Sequence, residues 1–78
     1  MEDQRSLQKK FGKVLKESRL RKSLSQEDLA LECGLDRTFI SMLERGVRQP
    51  SLSSIFIIAE ALGIKPSRLV KNVENLIR

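Results

Sequence analysis

The 78-residue chain has no histidine, no tryptophan, no tyrosine and a single cysteine. Without an imidazole, Cys33 cannot be activated as a Cys–His nucleophile. One thiol and no histidine also leave no cluster of the ligands that hold zinc. A lone cysteine cannot close an intramolecular disulfide, so no oxidised framework braces the chain. Cys33 reads instead as a buried structural residue, because a reactive thiol needs an exposed, cationic setting. Glycine (four) and proline (two) are scattered, and no Gly-rich phosphate-binding loop is present. No apolar run is long enough to cross a bilayer. The opening residues, M-E-D-Q-R-S, lack the charged-then-apolar layout of a secretory signal. These absences argue against an enzyme, and they give no reason to expect a metal, a cofactor, a small-molecule ligand or a membrane. A cytoplasmic protein is expected.

What the chain does have is positive charge. Lys and Arg number 15 against 10 Asp and Glu, for a net charge of +5. The excess is uneven: residues 1–23 carry eight basic and three acidic groups, residues 24–50 three and five, and residues 51–78 four and two. A basic balance favours polyanions, either nucleic acid or an acidic membrane surface, without choosing between them. The basic N-terminal segment reads equally well as a solvated helix face.

The apolar residues recur at helical spacing throughout. Leu7, Phe11, Val14, Leu15 and Leu20 predict an amphipathic first helix over about Leu7–Arg21, preceded by a frayed polar end. Gly12 weakens that helix by roughly 1 kcal/mol relative to Ala. Ser25 is placed to cap a second helix, about Gln26–Cys33, with Leu24 before it as a hydrophobic staple or core residue. Asp28 adds negative charge near the positive end of that helix's dipole. Gly34 suits a left-handed C-cap. Asp36 has the composition of another N-cap, opening a third helix at about Arg37–Arg45 whose apolar stripe is Phe39, Ile40 and Leu43. Gly46 and Pro50 end it. Ser51 caps a fourth helix that runs to Gly63. Its segment Ile55–Ile58 is apolar on more than one face, and its β-branched residues raise a strand alternative that the cap, the length and the terminal Gly outweigh. Lys65-Pro66 starts a fifth helix with a stripe of Leu69, Val70, Val73, Leu76 and Ile77. No repeat or second domain is visible, so residues 1–78 read as one all-α, five-helix domain.

Two short helices joined by a Gly-containing turn form a helix-turn-helix. Here that motif spans about residues 25–46, and Ala30 is small where the two helices would cross closely. Gln26, Leu29, Ala30, Gly34, Leu35, Ile40, Ser41, Leu43, Glu44, Gly46 and Pro50 resemble the pattern of the Cro and phage-repressor (Xre-type) DNA-binding family. The run Leu35–Glu44, with R-T-F-I-S, is also similar to controller proteins of restriction–modification systems. Phe39 departs from the Tyr common there and cannot hydrogen-bond the DNA backbone. The resemblance implies a lambda-repressor-like domain and a sequence-specific transcriptional regulator, bacterial or phage-like, that binds a palindromic operator as a homodimer.

A recognition helix presents its first turn to base edges in the major groove. Arg37 and Thr38 occupy that turn and lie off the apolar stripe, so core packing does not explain them. Arg37 can donate two parallel bonds to guanine, and Thr38 can bond a base or touch a thymine methyl. Ser41 and Met42, one turn later, are weaker candidates for base contact. Gln26, Arg45, Arg48 and Gln49 are candidates for phosphate contact; the Gln at the start of the second helix resembles the family's phosphate clamp. The bland alternatives are a solvated surface for the arginines and packing for Met42. The resemblance further implies an ion pair between Arg19 and Glu44. Residues 52–77 carry more apolar side chains than a small core needs, and Ile57, Ile64, Leu69, Val70, Val73 and Ile77 are candidates for a dimer face. Activation, as opposed to repression, would need a patch for RNA polymerase, for which Glu27 and Glu32 are candidates. The rival reading is a protein-interaction module, such as an antitoxin-like domain that holds a partner with its C-terminal helices.

Overall fold

The computed structural model describes residues 2–77, and among them it contains five α-helices and no strand: α1 (Gln4–Arg21), α2 (Gln26–Cys33), α3 (Arg37–Glu44), α4 (Leu52–Leu62) and α5 (Pro66–Glu74). The expected order and number of elements hold. Met1, the first residue of the expected frayed segment, lies outside the described residues.

Capping chemistry places the helix ends. The first helix starts a turn earlier than its apolar stripe suggests. Asp3 accepts a hydrogen bond from the Ser6 backbone N–H at 2.8 Å, which satisfies one donor that a helix N-terminus otherwise leaves free. The second helix has a reciprocal capping box. Ser25 Oγ accepts from the Asp28 N–H at 2.9 Å, and the Ser25 N–H donates to the Asp28 carboxylate at 3.1 Å. Asp28 thus bonds its cap directly as well as favouring the dipole. The third helix opens with Asp36 accepting from the Thr38 N–H at 3.0 Å. The fourth opens with Ser51 accepting from the Ser54 N–H, also at 3.0 Å. Gly34, in the turn of the motif, adopts φ +67°, a left-handed conformation that costs L-residues with a Cβ about 1–2 kcal/mol.

The core is one cluster drawn from all five helices. Phe11, Val14 and Leu15 of α1 meet Leu29 and Ala30 of α2, Ile40 and Leu43 of α3, Ile58, Ala59 and Leu62 of α4, and Leu69 and Val73 of α5. Helix α1 packs against α3 and α5, while α2 packs against α3 and α4. Leu20 departs from the expected stripe: it is 55% exposed near the end of α1. The radius of gyration, 11.4 Å, matches the roughly 11.5 Å of a compact single domain this long. No described helix is long and apolar enough to cross a membrane.

Candidate nucleic-acid interface

Helix α3 is held to the rest of the fold at its C-terminal end. An ideal Cβ on Gly12 would lie 2.5 Å from the carbonyl oxygens of both Leu43 and Glu44. The backbone of α1 therefore rests almost directly on the last turn of α3, and only a residue without a side chain allows that approach. The glycine that costs α1 helix propensity is the crossing point of the two helices. A mid-helix glycine on the buried side of an amphipathic pattern was the signal in the sequence, and on its own it named no partner.

The same end of α3 is clamped by side chains. Arg19 Nε donates to Glu44 Oε2 at 2.6 Å, and its Nη2 donates to Oε1 at 3.0 Å. The remaining Nη1 donates to the Leu24 carbonyl at 2.8 Å, which ties in the turn before α2. The two side chains are 9% and 4% exposed, so this is a buried, bidentate pair. The bond to Glu44 raises the Arg19 pKa above its ordinary value. Gln26 completes the cluster: its Nε2 donates to Glu44 Oε1 at 3.1 Å. A side-chain amide has two N–H donors and a carbonyl acceptor, so this contact leaves Gln26 one N–H and one oxygen while fixing the direction in which they point.

The other end of α3 is free of such constraints. Arg37 and Thr38 are exposed on its first turn, while Ser41 and Met42, one turn on, are half-buried. Arg45, Arg48 and Gln49 are exposed after the helix. The Arg48 guanidinium lies over the Phe39 ring, 5.8 Å from its centroid, within range of a cation–π contact. That contact steers Arg48 back along α3 and gives Phe39 a task that needs no phenol. Among the described residues no group of three or more acidic, Cys or His side chains is arranged to hold a metal. Cys33 is half-buried, and burial, followed by the charge of Glu32, raises its thiol pKa.

The six candidates for a dimer face separate. Ile57 and Val70 are 38% and 47% exposed, and Ile64 and Ile77 are half-buried. Leu69 and Val73 are a correction. They are 0% and 6% exposed and belong to the protomer's own core, because α5 lies on α1 and α4 with that side inward. Leu52 and Phe56, which are not among those six candidates, are 71% and 55% exposed on α4. The signal was the apolar run Ile55–Ile58, which covers more of the helix than one buried face can use.

The helix-turn-helix family profile matches residues 15–69. The chain is 51% identical over 61 residues to the control protein C.BamHI of Bacillus amyloliquefaciens, covering 77% of this chain and 75% of that protein. It is 42% identical over 66 residues to the control protein C.MunI of a Mycoplasma species, covering 83% and 89%. The fold is similar to the crystal structure of the restriction–modification controller protein C.AhdI from Aeromonas hydrophila, with a TM-score of 0.78 and 48% identity over 80% of this chain and 94% of that one. The wild-type controller protein C.Esp1396I superposes with a TM-score of 0.81 at 33% identity, covering 92% and 94%. The chain therefore belongs to the Xre-type helix-turn-helix family of DNA-binding transcriptional regulators, and its relatives include restriction–modification controller proteins.

Proposed function

We propose that the chain is the controller of a restriction–modification system and acts as a homodimer on a palindromic operator near its own gene. The observation that carries this reading is the polarity of α3. Its C-terminal end is locked by Gly12, Arg19 and Glu44, while its first turn carries Arg37 and Thr38 into solvent. In this reading Arg37 donates to guanine O6 and N7, and Thr38 reads the neighbouring base. Ser41 and Met42 border the groove. Gln26 grips a phosphate with the donor that Glu44 leaves free, and Arg45, Arg48 and Gln49 hold the backbone beyond the helix. These phosphate contacts supply affinity and register, and the first turn supplies sequence.

The dimer is assigned to the face bearing Leu52, Phe56, Ile57 and Val70, with Ile64 and Ile77 at its margin. An apolar cleft lined by Leu7, Phe11, Ile55, Val70 and Val73 opens beside it. Four large exposed apolar side chains on two adjacent helices are more than scattered surface residues. A two-fold pair of α3 helices would meet half-sites about one DNA turn, roughly 34 Å, apart. The protein acts in the cytoplasm, on the nucleoid. Glu27 and Glu32, both exposed on α2, form the contact for RNA polymerase when the dimer activates; transcription in vitro with both charges reversed should lose activation and keep operator binding, and unchanged activation removes this role.

Fluorescence anisotropy at fixed salt, with the DNA upstream of the gene against a scrambled duplex of equal length, tests the main reading. The expected result is tight binding that the scrambled duplex does not displace. Arg37→Ala should weaken operator binding by about 10- to 100-fold, the worth of one bidentate base contact, and leave helicity and dimerisation intact. Equal affinity for both duplexes, or unchanged binding by the variant, would refute the assignment.

A further inference from the structure

A groove of about 620 Å³ is lined by the C-terminal half of α1, the end of α4 with the turn after it, and α5. None of its lining residues belongs to the proposed DNA-facing set, and only Ile64 is shared with the margin of the proposed dimer face. Its rim is cationic. Arg21 and Lys22 stand at the end of α1, and Arg68 faces them from α5. Neither arginine is in an ion pair among the described residues. Lys22 reaches towards the C-terminal end of α4, where its Nζ lies 3.3 Å from the position a Cβ on Gly63 would take. Glu17 is the one acidic lining residue, so the charge of the lining is positive. Asn72 and Asn75 add side-chain amides along α5, and the floor is apolar, with Val14, Leu62 and Leu76.

One polar side chain of the lining is nearly buried. Ser18 is 8% exposed. Every fully enclosed side-chain polar atom among the described residues has a hydrogen-bond partner. Ser18 is among the residues that line the groove. A hydroxyl on the wall of an open groove can bond water, or donate to an anion that replaces the water. The volume lies within the 300–1,000 Å³ typical of ligand sites, which combine an apolar body with a few convergent polar groups.

We propose that this groove binds a small organic anion: a phosphate or carboxylate held by Arg21, Arg68 and the Ser18 hydroxyl, with an apolar body on the Val14–Leu62–Leu76 floor. No sequence motif announces such a site, because its residues come from α1, the end of α4 and α5, which are far apart in the chain. The site borders the turn that leads from α1 into α2. Ser23, next to Lys22, has a left-handed φ of +58°, and Arg19, next to Ser18, anchors Glu44 and so Gln26. A bound anion would therefore sit behind the residues that grip DNA.

The probe is phenyl phosphate, which carries both parts of the ligand, with inorganic phosphate as the head group alone. Both are titrated into the 15N-labelled full chain at constant ionic strength and followed by amide chemical shifts. Saturable shifts confined to residues 17–23 and 62–76, with phenyl phosphate binding at least tenfold more tightly than phosphate, are expected. The R21A/R68A double variant should lose at least tenfold in phenyl phosphate affinity, and Ser18→Ala should lose a smaller factor. Should the double variant lose helicity, Arg68→Gln alone carries the same expectation. Shifts centred on Gln26, Arg37 and Arg48, no saturation, equal affinity for the two probes, or undiminished binding by the variants would each overturn the proposal. The readout needs no DNA, so it stands apart from the operator assignment.

Discussion

Gly12 shows how one residue can be judged wrongly by its helix and correctly by its neighbour. Exchanging it for Ala should gain roughly 1 kcal/mol of helix propensity. The new methyl would fall 2.5 Å from two carbonyl oxygens, and those belong to backbone that cannot rotate away. Overpacking of this kind costs about 1–3 kcal/mol, so the clash should outweigh the propensity. Gly12→Ala is expected to lower the urea midpoint with an unchanged slope. It should also weaken operator binding beyond what the lost stability explains, since α3 must tilt or slide to admit the methyl. An unchanged or raised midpoint would show that the two helices separate at little cost and that the contact does not position α3.

At the scale of elements, the recognition helix is a lever fixed at one end by α1 and α2. A buried pair such as Arg19–Glu44 is weak evidence for net stability, because desolvating both charges offsets their attraction. Removing one partner is another matter. Arg19→Met leaves Glu44, with 4% of its side chain exposed, without its guanidinium, and such losses cost about 3–5 kcal/mol. The R19M/E44M double variant removes both charges and should recover most of that loss in urea or thermal unfolding. It should not recover DNA affinity, because Gln26 loses the carboxylate that aims its amide. A double variant as unstable as the single would make the pair a source of stability; one that binds operator normally would separate Gln26 from phosphate contact.

Much of this element-level order is legible in the sequence, and the reasons are local. Ser25, Asp36 and Ser51 mark helix starts because a cap needs only its own next turn. Asp3 escaped notice because the residues after it are polar and carry no apolar stripe. Leu69 and Val73 were misassigned for a different reason. Periodicity identifies the apolar side of α5 but not whether that side meets the same chain or a second copy, and in this fold α1 and α4 cover it. The α1–α5 groove had no signature, because its residues converge only after folding.

For the whole molecule, charge and apolar surface are divided between regions. The helix-turn-helix segment, residues 24–50, has more acidic than basic groups, whereas the segments on either side are net basic. Long-range attraction to DNA is therefore expected chiefly from outside the helix-turn-helix, and in the proposed function the motif's few cations would act at contact distance. A single module of this size reads few bases, so in the proposed function specificity would rest on pairing two of them. Phe56, 55% exposed beside Leu52 and Ile57, is the side chain whose loss tests that pairing without touching the core. Phe56→Asp places a charge where an apolar contact is proposed, and in the monomer it only exchanges an exposed ring for an exposed carboxylate. Sedimentation velocity should show a dimer for the parent and, at the same concentration, a monomer for Phe56→Asp with helicity retained. Operator affinity should then fall by orders of magnitude, and protection in footprinting should contract to one half-site at high protein concentration. If Phe56→Asp remains dimeric, the interface lies elsewhere. If it becomes monomeric and still protects both half-sites with full affinity, pairing does not supply the specificity, and each domain must read its half-site alone.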